Sequence, residues 1–126
     1  MMTDHDFKRG VVAAYVDGFG RGDAEALADL YAEHATVEDP VGTAPIKGRT
    51  AIQAFYRAAV ARGIRLELSG EPRTAGDSVA FPFHVHRRHG GQDEIIEVID
   101  IFRFDPEGHI IEMRAYWGPQ NIKPKP

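Results

Sequence analysis

The spacing of apolar residues changes at Gly63, and this change constrains the fold more than any other feature. Before Gly63, apolar side chains recur every three or four residues, which is typical of amphipathic helices. After Gly63 they recur at every second residue, as in Val79, Phe81, Phe83 and Val85, which is typical of strands with one face in a core. The sequence therefore predicts an α+β fold with helices on one face of a sheet.

The first two predicted helices carry inward-facing tyrosines. One helix spans residues 3–19, starts with a capping box at residues 3–6, and has an apolar stripe that consists of Phe7, Val11, Tyr15 and Phe19. The next begins with a cap at Asp23, and its inward positions are Leu27, Leu30 and Tyr31. Tyr15 and Tyr31 are therefore expected to face the core.

A short strand and a third helix complete the first half. Residues 36–39 are rich in β-forming residues and stop at Pro40, so Asp39 is expected where a strand meets a loop. An aspartate there often only turns or caps the chain, but catalytic side chains are also presented at such positions. The helix spans residues 50–62, and its apolar face consists of Ile52, Phe55, Tyr56, Ala59 and Val60.

The second half is predicted to be an antiparallel meander. Strands are expected at residues 64–68, 79–86, 94–104 and 109–117, joined in part by a Gly-Gly hairpin at residues 89–92 and a turn at residues 105–108. The Pro- and Lys-rich residues 118–126 are predicted to form a flexible tail. The length of 126 residues and the absence of repeats or an internal linker predict a single domain, residues 1–126.

One carboxyl group lies among large apolar side chains in the predicted strand 94–104. The even positions are Ile96, Val98, Asp100, Phe102 and Phe104, so Asp100 is expected to point into the core. A carboxyl group buried without a partner normally stays protonated, and it then donates a hydrogen bond. A slipped register or a bulge would instead turn Asp100 toward solvent.

The odd positions of the same strand are also apolar and include Ile95, Ile99 and Ile101. This weakens the argument that Asp100 alone faces inward. It also indicates that the second face of the sheet is covered, which favours a homodimer formed through the sheet.

Tyr15, Tyr31 and Tyr56 all lie on predicted inward faces, and a buried phenol needs a hydrogen-bond partner. They are either core residues with satisfied hydroxyls or, if they cluster near a neutral Asp100, part of a site that stabilises an oxyanion.

Composition excludes several classes of function. There is no cysteine, which excludes disulfides, thiol nucleophiles and thiolate metal sites. The formal net charge of -4 argues against a nucleic-acid partner. No apolar run is long enough to cross a membrane and the N-terminus does not read as a secretory signal, so a cytoplasmic location is expected.

Two short motifs are only weak indications of a binding site. His84, His86 and His89 are spaced so that two histidines on one strand face, His84 and His86, could bind a metal, but these two face away from Phe81 and Phe83 and have no carboxylate at an obvious ligand spacing. The glycines of GFGRGD follow a helix rather than a strand, so they end that helix and do not form a dinucleotide-binding loop.

Several longer blocks of the sequence resemble the bacterial ketosteroid isomerases of the NTF2-like, SnoaL-like superfamily. These blocks are AYVDGF, LYAEHATVEDPVG, IKGR, AFYR, VIDIFRFD and RAYW, and they run in register over most of the chain. The resemblance implies three helices on a strongly curved, mainly antiparallel sheet that forms a cone around a deep apolar pocket, and usually a homodimer. It also implies isomerisation of a 3-oxo-Δ5 steroid to the conjugated Δ4 isomer, without a metal or organic cofactor.

The resemblance assigns roles to particular residues. In such enzymes an aspartate base works with a tyrosine and a protonated aspartate that bind the enolate oxygen. These roles fall on Asp39, Tyr15 and Asp100, supported by a hydrogen-bond network that consists of Tyr31, Tyr56 and Trp117. The candidate steroid-contacting residues are Phe55, Phe83, Val85, Val98, Phe102 and Met113.

Departures from the family pattern leave the pocket shape and substrate preference open. The hairpin segment HVHRRHGGQDEIIE is unusually charged, and Gly18 and Phe19 are expected near the pocket wall. The alternatives are a noncatalytic lipid- or steroid-binding module, or another enzyme of the superfold such as a polyketide cyclase or an epoxide hydrolase. A base at Asp39 argues against the first, and a Tyr15 and Asp100 donor pair argues against an epoxide substrate.

Overall fold

A computed structural model describes residues 4–126 and confirms the α+β class, with three helices on a curved, unclosed mixed sheet. The helices are α1 (His5–Arg21), α2 (Ala24–Ala28) and α3 (Arg49–Ala61). The strands are β1 (Tyr31–Glu38), β2 (Ile46–Lys47), β3 (Arg65–Leu68), β4 (Arg73–Ala75), β5 (Ser78–His89), β6 (Gln92–Phe104), β7 (Ile110–Tyr116) and β8 (Ile122–Pro124).

The ends of α1 follow from its capping residues. Asp4 caps the helix by accepting a 2.7 Å hydrogen bond from the backbone N–H of Phe7, while the Thr3 end of the predicted capping box lies outside the described residues. Gly22 ends the helix in the left-handed region, with φ at 64°. Gly18 faces α2, where a Cβ atom would lie only 2.7 Å from a methyl carbon of Leu27, so glycine permits the close approach of the two helices.

The second helix is shorter than predicted, and Tyr31 does not belong to it. It ends at Ala28, and Tyr31 starts β1, where it pairs with Ile110 of β7. The prediction that Tyr31 faces the core is confirmed, but the residue is buried as part of a strand and not of a helix. Strand pairing with a distant segment overrides the local helical spacing here.

The sheet confirms the antiparallel meander predicted for the second half, because β3, β5, β6 and β7 are successive antiparallel neighbours, and the first half adds β1 and β2 to it. Its strand order is β2-β1-β7-β6-β5-β3, with β4 beside β5 and β8 beside β6. β1, which precedes α3 in the chain, pairs with β7 in parallel, while the other strand pairs are antiparallel. The parallel pair brings the ends of β1 and β7 together, and the candidate site lies beside this junction.

The predicted flexible tail carries regular structure. Residues 119–121 form a 3₁₀ helix, and β8 pairs with residues 94–96 of β6. β7 pairs with β6 only from Ile99 onward, so the first part of this edge of β6 would otherwise be bare. β8 covers part of that edge.

The two faces of the sheet differ in exposure. The inner face packs on the helices, whereas Ile99 and Tyr116, which pair with each other on the outer face, are 49% and 40% exposed. Among residues 4–126, no helix has both the length and the apolar character needed to span a bilayer.

Candidate active site

A cavity of about 300 Å³ opens between the helices and the inner face of the sheet. Most of its lining is apolar and consists of Phe19, Phe55, Ala59, Ile64, Leu66, Phe83, Val85, Ile96 and Val98. Its polar groups belong to Tyr15, Asp39, Tyr56, Arg62, Arg87, Asp100 and Trp117. An apolar cleft with a few converging polar groups is the usual form of a site for a small organic ligand.

Asp39 is positioned by the parallel pairing of β1 with β7. The pairing aligns Glu38 with Arg114, so the residues just beyond both strand ends become neighbours. The indole N–H of Trp117 donates a 2.8 Å hydrogen bond to Oδ1 of Asp39, and the following loop is held by a 2.8 Å bond from Val41 N to the Ala115 carbonyl. Asp39 is therefore a braced side chain and not only a turn residue.

Two opposing effects act on Asp39. Burial raises the pKa of its carboxyl group, because water that would solvate the anion is excluded, and the hydrogen bond from Trp117 lowers it. Burial is the larger effect, so the pKa of Asp39 is raised from its ordinary value. A basic carboxylate that remains partly exposed can meet a ligand in the cavity.

Asp100 lies in the middle of β6 and is only 1% exposed. Its backbone faces Phe81 on one side and Ala115 on the other, and its side chain points inward as the even-position pattern predicted. Neither carboxyl oxygen has a hydrogen-bond partner among residues 4–126. The carboxyl group can therefore use its hydrogen-bonding capacity on a ligand.

Burial raises the pKa of Asp100 well above its ordinary value, and the nearby charge of Asp39 raises it further. The hydroxyl of Tyr15 acts in the opposite direction, although its geometry does not satisfy that of a hydrogen bond. The net direction favours the neutral carboxyl group. In that form Asp100 is a hydrogen-bond donor.

The three buried tyrosines form a chain of hydroxyl groups. The hydroxyls of Tyr31 and Tyr56 are 2.5 Å apart, and the hydroxyl of Tyr56 donates to that of Tyr15 over 3.4 Å. Because Tyr56 uses its proton toward Tyr15, Tyr31 is the donor of the first bond. Tyr15 accepts in this chain and keeps its own proton for the cavity, which it lines.

Burial raises the pKa of each of the three hydroxyls well above its ordinary value. All three therefore stay protonated at neutral pH. The ring of Tyr15 is held by edge contacts, with ring centroids 5.3 Å from Phe19 and 5.1 Å from Phe102. The site thus contains a fixed phenol beside a neutral carboxyl group.

The predicted contact residues divide into two groups. Phe55, Phe83, Val85 and Val98 line the cavity. Phe102 and Met113 do not, because both are fully buried in the core, where Phe102 supports the ring of Tyr15. Of the two helix residues expected near the pocket wall, Phe19 lines the cavity and Gly18 faces Leu27 instead.

Sequence reasoning missed six residues of the lining, which are Ala59, Arg62, Ile64, Leu66, Arg87 and Ile96. Ile96 shares the inward row of Asp100, and Arg87 continues the row of Phe83 and Val85, so strand parity alone contained the signal for both. The signal for Arg62 was weaker, since it follows the end of α3.

The hairpin histidines lie away from the cavity. His86 meets Glu67 of the neighbouring strand, with Nε2 and Oε1 2.8 Å apart. Across residues 4–126, no group of three potential metal ligands from histidine, aspartate and glutamate is present.

Comparison with known proteins gives one family and two kinds of enzyme. The profile described as "SnoaL-like domain" matches residues 12–113. The chain is 40% identical to the "Steroid Delta-isomerase" of Nocardioides simplex over 114 residues, which cover 90% of this chain and 92% of that protein. It is 33% identical over 128 residues to "Epoxide hydrolase LasB" of Streptomyces lasalocidi, covering 93% of this chain but only 43% of that protein.

A solved structure is similar over the whole fold. It is described as the "epoxide hydrolase/cyclase-like enzyme SalBIII in pyran ring formation in polyether salinomycin", with a TM-score of 0.91 and 29% identity. The match covers 99% of this chain and 100% of that one. A carboxylate base and two neutral donors can serve either kind of chemistry in one cavity, and the substrate decides between them.

Proposed function

Because this chain belongs to the SnoaL-like domain family, we propose that it is an isomerase that converts 3-oxo-Δ5 steroids to their conjugated Δ4 isomers. The proposal is supported by the 40% identity to a steroid Delta-isomerase over nine tenths of both chains. The main structural support is that one apolar cavity contains two different carboxyl groups. Asp39 is accessible and held by Trp117, whereas Asp100 is buried and neutral.

The reaction uses Asp39 twice. Its carboxylate removes a proton from C4 of the steroid, the C4–H electrons form the C3–C4 double bond, and the carbonyl electrons move onto O3. The protonated Asp39 then returns the proton to C6, while the dienolate collapses to the ketone with a C4–C5 double bond. No atom is lost or gained, and no metal or organic cofactor takes part.

Tyr15 and Asp100 stabilise the dienolate in this scheme. Charge develops on O3 in the transition state, so neutral donors aimed at that oxygen bind the transition state more strongly than the substrate. Tyr56 donates to Tyr15 and makes the Tyr15 hydroxyl a better donor. The apolar lining excludes water, which strengthens both hydrogen bonds.

Hydrolysis or cyclisation of an epoxide is the second candidate. It is favoured by the similarity of the fold to an epoxide hydrolase/cyclase-like enzyme. In that reaction the neutral Asp100 would protonate the epoxide oxygen, and Asp39 would activate the attacking hydroxyl group or water. The first candidate is favoured because the chain is more similar to the steroid isomerase than to the epoxide hydrolase. The match also covers almost all of the isomerase but less than half of the hydrolase.

The two candidates are separated by their products. Mixed with a 3-oxo-Δ5 steroid, the protein should produce the ultraviolet absorption of a conjugated enone without incorporating solvent oxygen. Mixed with an epoxide in ¹⁸O-labelled water, it should give no labelled diol. Labelled diol without enone formation would replace the isomerase proposal with the hydrolase.

We also infer a homodimer that covers the outer face of the sheet. The exposed apolar side chains of Ile99 and Tyr116 lie there, and contact with a second subunit would remove them from water. Sedimentation should give a mass near twice 14.0 kDa. A monomer at micromolar concentration would contradict this inference.

A further inference from the structure

The inward faces of β5 and β6 form a continuous row from the deep carboxyl group to the cavity mouth. The cross-strand pairs in order are Phe81 with Asp100, Phe83 with Val98, Val85 with Ile96, and Arg87 with Glu94. Since a strand rises roughly 3.3 Å per residue, the last pair lies about 20 Å along β6 from Asp100. The row thus begins with a hydrogen-bond donor, is apolar in the middle, and ends in charges.

Arg62 lies near this charged end, because β3 begins three residues later and pairs Arg65 with His86, the neighbour of Arg87. It follows the last residue of α3 and lines the same cavity as Arg87. Nε of Arg87 forms a 3.0 Å ion pair with Glu94, which compensates its charge. The guanidinium of Arg62 makes no hydrogen bond or ion pair with any residue from 4 to 126, and it is exposed to solvent.

The cavity mouth therefore carries one uncompensated positive charge, although the chain has a formal net charge of -4. A local charge of the opposite sign to the whole protein indicates the sign of the group that binds there. Because Arg62 is exposed, a neutral ligand only exchanges one hydrogen bond to solvent for another, whereas an anionic ligand gains a stronger charge-assisted bond and a cationic ligand is repelled.

We propose that Arg62 binds a carboxylate on the side chain of the steroid, at the end remote from the 3-ketone. This inference rests on the proposed function, which places the ketone at Tyr15 and Asp100. A cavity of about 300 Å³ lies at the small end of the roughly 300–1,000 Å³ range of ligand pockets, so a steroid with a side chain extends to the mouth. The planar guanidinium matches a carboxylate through two parallel hydrogen bonds.

The test compares a 3-oxo-Δ5 steroid that carries a side-chain carboxylic acid with its methyl ester. At low salt, kcat/KM should favour the acid by roughly two- to fivefold, the upper part of the range of an exposed ion pair, and added salt should reduce this ratio. Arg62→Gln should bring the ratio close to one. Arg65→Gln is the matched control, because Arg65 is exposed nearby but does not line the cavity, and it should keep the wild-type ratio.

Three results would overturn the inference: no preference in the wild type, an unchanged ratio in Arg62→Gln, or an equal loss in Arg65→Gln. An equal loss in Arg65→Gln would mean that positive charge on this surface in general, and not a contact with Arg62, favours the acid. A binding measurement, which needs no turnover, tests the role of Arg62 independently of the proposed function. The only tryptophan, Trp117, lines the cavity, so its fluorescence can report binding of the conjugated acid and its ester.

Two outcomes are then distinct. If the wild type binds the acid more tightly than the ester and Arg62→Gln removes this difference, but neither substrate is isomerised, the proposed function fails and the role of Arg62 stands. If both substrates are isomerised at equal kcat/KM, the proposed function stands and the role of Arg62 fails.

Discussion

Asp39 and Asp100 carry the same side chain in two different environments. Asp39 follows the end of β1, is partly exposed, and accepts a hydrogen bond from Trp117. Asp100 lies in the middle of β6, is almost fully buried, and has no hydrogen-bond partner among residues 4–126. Burial raises the pKa of both, but only that of Asp100 is raised well above the ordinary value.

The two environments allow one residue type to supply both a base and an acid in a single cavity. The indole N–H favours the charged form of Asp39, whereas among the described residues only Tyr15 favours the charged form of Asp100. The charge on Asp39 itself helps to keep Asp100 neutral. The charged form of Asp39 therefore favours the neutral form that Asp100 requires.

The largest expected effect is that of Asp39→Asn. The amide keeps the size of the side chain but cannot take a proton, so kcat should fall by at least about 10²- to 10⁴-fold, the usual contribution of general acid–base catalysis. Binding of the conjugated product should survive, as measured by quenching of Trp117 fluorescence. Asp29→Asn is the control, because Asp29 is exposed and outside the cavity lining. Near-normal turnover by Asp39→Asn would mean that Asp39 is not the catalytic base.

The next effect concerns the protonation state of Asp100. Asp100→Leu removes the donor and should lower kcat by about 10²- to 10³-fold, the usual cost of losing one oxyanion donor. Asp100→Asn keeps donor hydrogens and should retain much more activity. Equal losses would mean that Asp100 does not act as a donor. The infrared spectrum gives a direct check, since the free enzyme at neutral pH should show the band of a protonated carboxyl group that Asp100→Asn lacks.

Much of the fold on the inner side of β6 could be predicted from local spacing. Strand parity placed Asp100 inward, and the cavity does contain Phe83, Val85 and Val98. Parity could not separate the lining from the core beneath it, so Phe102 was predicted to contact the ligand although it is covered by the ring of Tyr15 and its neighbours.

The surroundings of Asp39 were less predictable because they depend on long-range pairing. The sequence indicated a strand end at Asp39, but only the parallel register of β1 with β7 brings Trp117 beside it, 78 residues later in the chain. The hydrogen bond to Trp117 was expected only from the family resemblance. The assignment of Tyr31 to a helix was wrong for the same reason. It was based on local spacing, whereas Tyr31 pairs with Ile110, which is distant in the sequence.

The smallest expected effect is that of Trp117→Phe, which makes the environment of Asp39 more like that of Asp100. In a profile of kcat/KM against pH, the acid limb reports ionisation of the base in the free enzyme. Because burial raises the pKa of Asp39, this limb should lie above the ordinary aspartate value of about 3.9 in the wild type. Removing the indole N–H removes an effect that lowers the pKa, so the limb should move to still higher pH.

On the high-pH side of that limb, Trp117→Phe should lose at most about tenfold in kcat/KM, since a single hydrogen bond is worth about 0.5–1.5 kcal/mol. Tyr116→Phe serves as the control, because Tyr116 precedes Trp117 but is exposed outside the cavity lining, and its profile should match the wild type. A merely structural role for Trp117 would lower activity at every pH without moving the limb. A limb displaced to lower pH would mean that the indole disfavours the carboxylate, and the contrast between Asp39 and Asp100 would then need a different cause.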